Sequence, residues 1–140
     1  MTSKVIVLDA NIIIRAVLGT KVRDLIINNS DKIDFFTPEV CIEDAEKYLP
    51  QVFINRKIPP DPALALLKHI KGMLRIVTLE MYKDYKDTAI RRIQVRDIND
   101  WPIVATALTF NSAIWTEDQD FFGSGISTWT TRNIHIFFEN

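Results

Sequence analysis

The chain has 140 residues, with 17 Lys and Arg against 18 Asp and Glu, and 47% hydrophobic and 25% charged residues, the balance of an ordinary folded domain. A formal net charge of −1 excludes a protein that coats nucleic acid by bulk charge, and a lone cysteine, Cys41, excludes an internal disulfide and a cysteine-built zinc site. The length suits one domain over 1–140, able to bury about two thirds of its unfolded surface without a covalent or metal staple, and a reducing cytoplasm is the expected compartment.

The N-terminal stretch is apolar, but Asp9, Asn11 and Arg15 interrupt it. With no window of about 18 apolar residues, neither a secretory leader nor a membrane span is expected. Lys4–Leu8 is β-branched and continuously apolar, which reads as a buried parallel strand. Helical patterning follows over Ile12–Leu18 and Lys21–Asn29, broken at Gly19-Thr20. Ile33–Thr37 reads as a second strand, and Pro38 opens a helix that Pro50 should end or kink. Pro59-Pro60-Asp61-Pro62 is a firm break, with Asp61 placed to cap a helix over Pro62–Met73. Arg75–Leu79 reads as a third strand and Met81–Val95 as a helix. The turn Asp97–Asp100 leads into a helix over Trp101–Phe110. Ala113–Thr116 is a fourth strand, and Ile134–Phe138 reads as a last one. The role of the long Ser/Thr-rich stretch Phe122–Asn133 is open. Strands alternating with helices at these intervals predict a three-layer α/β/α domain with a mainly parallel central sheet.

The acids are not scattered. Asp9 follows the first strand directly and Asp118 lies two residues past the fourth, so both fall at the carboxyl edge of the sheet, where open α/β sheets place their functional crevice. Asp97 and Asp100 flank the start of the helix that feeds the fourth strand and should approach the same edge. Glu39, Glu43 and Glu46 share one helical face, opposite an apolar stripe of Cys41, Ala45, Tyr48 and Val52. Each has an ordinary reading beside the functional one. Asp100 before Trp-Pro is a good N-cap, the glutamates suit a solvated helix face, and Asp118-Gln119-Asp120 suits an acidic turn. Asp9 is the hardest to explain that way, because a carboxylate ending a buried strand must be paired, hydrogen-bonded or bound to a metal. Either the acids do not converge, or a divalent cation holds them. Oxygen ligands without cysteine favour Mg²⁺ or Mn²⁺ over zinc, and such a site suits phosphoryl chemistry.

Four stretches, in order, resemble the PIN-domain ribonucleases: VLDANIIIRA around Asp9, the Pro-Glu-opened helix containing Glu43, RDINDWPIVATAL, and IWTEDQDF. Many members of this size are VapC-like toxins of type II toxin–antitoxin systems. The resemblance implies a PIN-like fold and a Mg²⁺- or Mn²⁺-dependent endoribonuclease. It makes Asp9, Glu43, Asp100 and Asp118 the metal-binding catalytic acids, with Asn11 and Thr116 in support. Glu46 is an alternative to Glu43, and Asp97 and Asp120 are further carboxylates. It also implies in-line hydrolysis leaving a 5′-phosphate and a 3′-hydroxyl, with single-stranded RNA as substrate, a homodimer, and a cognate antitoxin as partner.

Arg15 and Arg92 are the candidate phosphate contacts, weighed against an ordinary solvated helix surface. Tyr82, Tyr85, Trp101, Trp115 and Trp129 read mostly as core, and His69 and His135 as structural or exposed. A haloacid-dehalogenase-like phosphatase needs a second Asp where Asn11 stands, and a receiver domain needs a phosphoacceptor Asp that the second and third strands lack. The remaining competitor is a catalytically inactive PIN-like module that binds RNA or protein. Such a copy should have lost an acid, and Asp9, Glu43, Asp100 and Asp118 are all present.

Overall fold

A computed structural model describes residues 4–93 and 96–139. The elements run β1 (Lys4–Leu8), α1 (Ala10–Leu18), α2 (Lys21–Asn29), β2 (Ile33–Pro38), α3 (Glu39–Asn55), α4 (Pro60–Met73), β3 (Arg75–Val77), α5 (Leu79–Tyr82), α6 (Lys86–Ile93), α7 (Trp101–Phe110), β4 (Ala113–Trp115), β5 (Thr128–Trp129) and α8 (Ile134–Glu139). Short 3₁₀ turns lie at Lys83–Tyr85, Ile98–Asp100 and Gln119–Phe121. The five strands form one sheet in the order β3-β2-β1-β4-β5, all neighbours parallel. This is the three-layer α/β fold expected, with helices on both faces.

β1 sits at the centre, and its Ile6, Val7 and Leu8 are fully buried, so it reads as an unbroken apolar run. The chain builds outward from β1 to β2 and β3 on one side, then crosses to β4 and β5 on the other. The crevice between the carboxyl ends of β1 and β4 is therefore the topological switch point of the sheet. α7 is apolar almost all round, with Ile103, Val104, Ala105 and Ala107 buried, as suits a helix enclosed by the sheet and its neighbours.

Five local expectations differ from the structure. Ile134–Phe138 is a helix, not a strand. Asn133 folds its side chain back onto the Thr130 N–H at 2.9 Å, and the turn so made starts a helix that buries Ile134 and Phe138, four residues apart, on one face. Phe138 meets Phe35 and Trp115 edge-on. The fifth strand comes instead from Phe122–Asn133, where Thr128 and Trp129 pair with Ile114 and Trp115.

Pro50 does not end α3, which runs on to Asn55. It stands on the exposed side of the helix, where the carbonyl that loses its helical donor is open to solvent, while Ala45, Leu49 and Phe53 pack on the buried side. Tyr48, placed by periodicity in the apolar stripe, is 55% exposed, and Leu49 takes the core position. Asp61 is inside the first turn of α4 and not its cap, because the helix begins one residue earlier at Pro60. The predicted 81–95 helix is divided by the 3₁₀ turn at Lys83–Tyr85, and its last two residues lie outside those described.

Candidate functional site

Asp9 leaves β1 and caps α1 in the same residue. Its Oδ1 accepts the Ala10 N–H at 2.6 Å, and its own N–H donates to the Trp115 carbonyl at 3.1 Å, which ties it to β4. Its Oδ2 accepts from the Thr116 hydroxyl at 2.7 Å and from the Asn11 amide at 3.1 Å. The Thr116 oxygen in turn accepts the Asp118 N–H at 2.9 Å, so one hydroxyl bridges the first and fourth predicted acids. Asn11 spans the same gap, its Oδ1 accepting the Glu117 N–H at 3.4 Å. Asp118 Oδ1 accepts the Asp120 N–H at 2.9 Å, which turns the chain so that Asp120 comes back toward the crevice.

Asp100 stands at the N-cap position of α7 but makes no capping bond. Asp97 does the local turn work, accepting the Asn99 N–H at 3.0 Å. Asp100 Oδ2 is buried without a hydrogen-bond partner. Asp97, Asp100 and Asp120 each offer an oxygen within 4.8 Å of the others. Burial, and then the charges of Asp9, Asp97, Asp118 and Asp120, push the Asp100 carboxyl from its ordinary 3.8 up to about 7. Asp9 is raised as well, first by burial and then by Asp118 and Asp44, against the lowering effect of its bonds to Thr116 and Ala10. No Lys, Arg or His ion pair with any of these acids occurs among the described residues.

Two of the three glutamates of α3 are engaged by other groups. Glu39 accepts the Leu79 N–H at 3.1 Å, Glu46 pairs with Lys71 of α4 at 3.0 Å, and Glu43, with Glu39, lies within electrostatic reach of the buried Tyr82. The α3 acid whose charge reaches Asp9 is Asp44, next to Glu43. Asp44 also reaches the thiol of Cys41, which burial and then the Asp9 charge push well up. A sequence signal for it existed. Asp44 is three residues past Cys41 and adjoins Ala45, so it borders the buried stripe that faces α1 and β2, while Glu43 and Glu46 flank the other edge.

Arg92 donates to the Ser124 carbonyl at 3.1 Å, and its guanidinium would meet a Cβ on Gly125 at 2.9 Å. It braces the chain ahead of β5 and is committed there. Arg15 is exposed on α1. Of the aromatics, Tyr82 and Trp115 are core, while Tyr85 is exposed.

The donor set is all oxygen, one carboxylate oxygen is buried and orphaned, and several acids face one another with no Lys, Arg or His partner among the described residues. That set fits a hard divalent ion of the Mg²⁺ or Mn²⁺ type. The acidic crevice thus lies at the switch point of an open parallel sheet, where α/β domains of this class place their functional sites. The chain belongs to the PIN domain family, whose model matches residues 7–139. No curated relative matches it in sequence.

Solved structures share the fold. The structure of VapBC2 from Rickettsia felis bound to a DNA fragment from their promoter superposes with a TM-score of 0.64 at 13% identity, over 90% of this chain and 98% of that one. PAE2754 from Pyrobaculum aerophilum gives 0.72 at 13% identity, over 98% and 90%. A toxin–antitoxin complex from Klebsiella pneumoniae gives 0.57 at 16% identity, over 89% and 96%.

Proposed function

We propose that this chain is a divalent-metal-dependent endoribonuclease acting on single-stranded RNA, and the toxin of a type II toxin–antitoxin pair. The observation that carries the reading is Asp100, a half-buried carboxyl with an orphaned oxygen, held among acids and raised to about 7. Such an arrangement costs stability unless a cation occupies it, and a module that only binds RNA has no use for it.

Asp9, Asp100 and Asp118 would hold the ion, with Asp44 in the place the sequence assigned to Glu43, and Asp97 and Asp120, whose oxygens lie within 4.8 Å of Asp100's, as further ligands. A bound Mg²⁺ or Mn²⁺ supplies Lewis acidity at the phosphodiester and promotes ionisation of the attacking water. The chain's own contribution is orientation. Thr116 and Asn11 fix the Asp9 carboxylate by two bonds, and Thr116 simultaneously sets the backbone of Asp118. Second partners of this kind typically account for 10–100-fold in metal affinity or activity, as an order of magnitude. In-line displacement that leaves the 2′-hydroxyl unused gives a 5′-phosphate and a 3′-hydroxyl.

Two of the similar structures are described as VapBC2 and as a toxin–antitoxin complex, which supports an antitoxin partner for this chain. A homodimer and a cytoplasmic setting belong to the same proposal. No described helix is long and apolar enough to cross a membrane.

The test is cleavage of end-labelled, unstructured RNA with Mn²⁺, Mg²⁺ or EDTA, beside Asp9→Asn. Metal-dependent cleavage lost in the variant is the expected result. Cleavage that persists in EDTA, or an unaffected rate in Asp9→Asn, would overturn it.

A further inference from the structure

A groove of about 600 Å³ runs away from the acidic crevice along α1. Its near end is Asn11, the residue whose amide holds Asp9. Its floor follows one face of α1, since Asn11, Ile14, Arg15 and Leu18 are spaced i, i+3, i+4 and i+7. Beyond the end of α1 comes Lys21, and the far wall is Tyr48 on α3 with Arg56 just past its end.

The charge of the lining is one-sided. It includes Arg15, Lys21 and Arg56 and no Asp or Glu, and none of the three cations makes an ion pair among the described residues. Arg92 is not part of this surface: it is bound to Ser124 and lines a separate pocket with Asn111, Ser112 and Ala113, where β4 begins. Tyr48 is the exposed large aromatic of the groove. A tyrosine left more than half exposed beside three unpaired cations gains nothing from the core and offers a flat face at the edge of a cationic channel.

We propose that this groove is the track of the RNA strand on one side of the scissile phosphate, with backbone phosphates on Arg15, Lys21 and Arg56 and a base stacked on Tyr48. The inference rests on the endoribonuclease reading and adds to it a direction and a set of contacts. Cations that follow a backbone, together with an aromatic that takes any base, make the usual sequence-tolerant platform for a single strand. The groove has the volume of a small-ligand pocket, so it takes a short stretch of strand and not the body of a duplex. Continuity with Asn11 favours the substrate over an acidic peptide as occupant, because a strand lying here necessarily leads to Asp9.

The experiment measures steady-state cleavage of an unstructured RNA oligonucleotide by the full chain with Mn²⁺, over a range of salt. Arg15→Gln/Arg56→Gln and Tyr48→Ala are compared with wild type and with Lys68→Gln, an exposed cation of α4 away from the groove. The double variant should raise KM about tenfold at moderate salt, with kcat little changed. Its salt dependence should fall by about 1.4 in log–log slope, about 0.7 for each phosphate that no longer meets a cation. Tyr48→Ala should raise KM without changing that slope, because stacking releases no counterions. Circular dichroism and Mn²⁺ binding should match wild type in both. Unchanged KM and salt slope in a double variant that still cleaves would overturn the track and leave the nuclease standing, with the groove then open to an acidic peptide. A wild-type chain that binds Mn²⁺ and cleaves no RNA would overturn the nuclease reading and the track together.

Discussion

Replacing Asp100 by Asn should make the metal-free protein more stable while abolishing cleavage. In the native state the Asp100 carboxyl holds its proton up to about 7, whereas in the unfolded chain it ionises near 3.8. Between those values the folded protein binds more protons, so stability declines as pH rises through the window, and the penalty is full above it. At 1.36 kcal/mol for each tenfold change in proton affinity, the rise from 3.8 to about 7 corresponds to about 4 kcal/mol. The side chain is only half-buried, so screening by water discounts this to about 2 kcal/mol. For a chain of this length that is about 6 °C in Tm.

Thermal unfolding of Asp100→Asn and wild type in EDTA should therefore show that gap at pH 8 and about a quarter of it at about pH 4.5, which is less than one unit above the unfolded carboxyl's 3.8. Mn²⁺ at about 100 times its Kd stabilises a binding-competent fold by about 2.7 kcal/mol, which should close or reverse the gap in favour of wild type. A variant no more stable than wild type at pH 8 in EDTA would refute the reasoning. So would a gap that stays the same at pH 4.5.

Asp44→Asn should lower metal-dependent cleavage about 100-fold or more, beyond the upper end of outer-partner effects, while Glu43→Gln stays close to wild type. A loss in Glu43→Gln with Asp44→Asn unaffected, in a kinetic assay at saturating Mn²⁺, would return the role to Glu43. Thr116→Val removes the bond to Asp9 and the acceptor for the Asp118 N–H. It should cost about 1–3 kcal/mol in urea unfolding and about 10–100-fold in cleavage. Gly125→Ala places a Cβ at 2.9 Å from the Arg92 guanidinium on a backbone with φ of +83°. It should lower stability by about 1 kcal/mol or more, and if it does not, Arg92 is not the brace of the chain before β5. Phe138→Ala should cost about 3–5 kcal/mol, which chemical denaturation would register; a strand residue on an exposed edge would cost far less.

Local signals carried much of the fold. The buried run at Lys4–Leu8, the Gly19-Thr20 break and the apolar Trp101–Phe110 helix could be read directly, because periodicity reports which faces must leave water. They failed at Ile134–Phe138, where β-branched and aromatic residues suit either state. There the Asn133–Thr130 turn and the burial of Phe138 against Phe35 and Trp115 selected the helix. The candidate site divides the same way. The convergence of Asp9, Asn11, Thr116 and Asp118 was legible because each lies within three residues of the end of β1 or β4, and a parallel sheet delivers every strand end to one edge. That the charge of Asp44 reaches Asp9 was not, since neighbouring residues on a helix differ by only about 100° and the rotation of α3 is decided by what Ala45 and Leu49 pack against. Nor did the sequence reveal that Arg92 is committed to Ser124 while Arg15 and Arg56 are not, for the partners of a long cationic side chain are set by neighbours distant in the chain. The sequence by itself determined the layer architecture and the edge where the acids collect. Tertiary packing alone decided which acids face one another and which cations remain for a substrate, because those choices turn on helix rotation and on residues brought together from far along the chain.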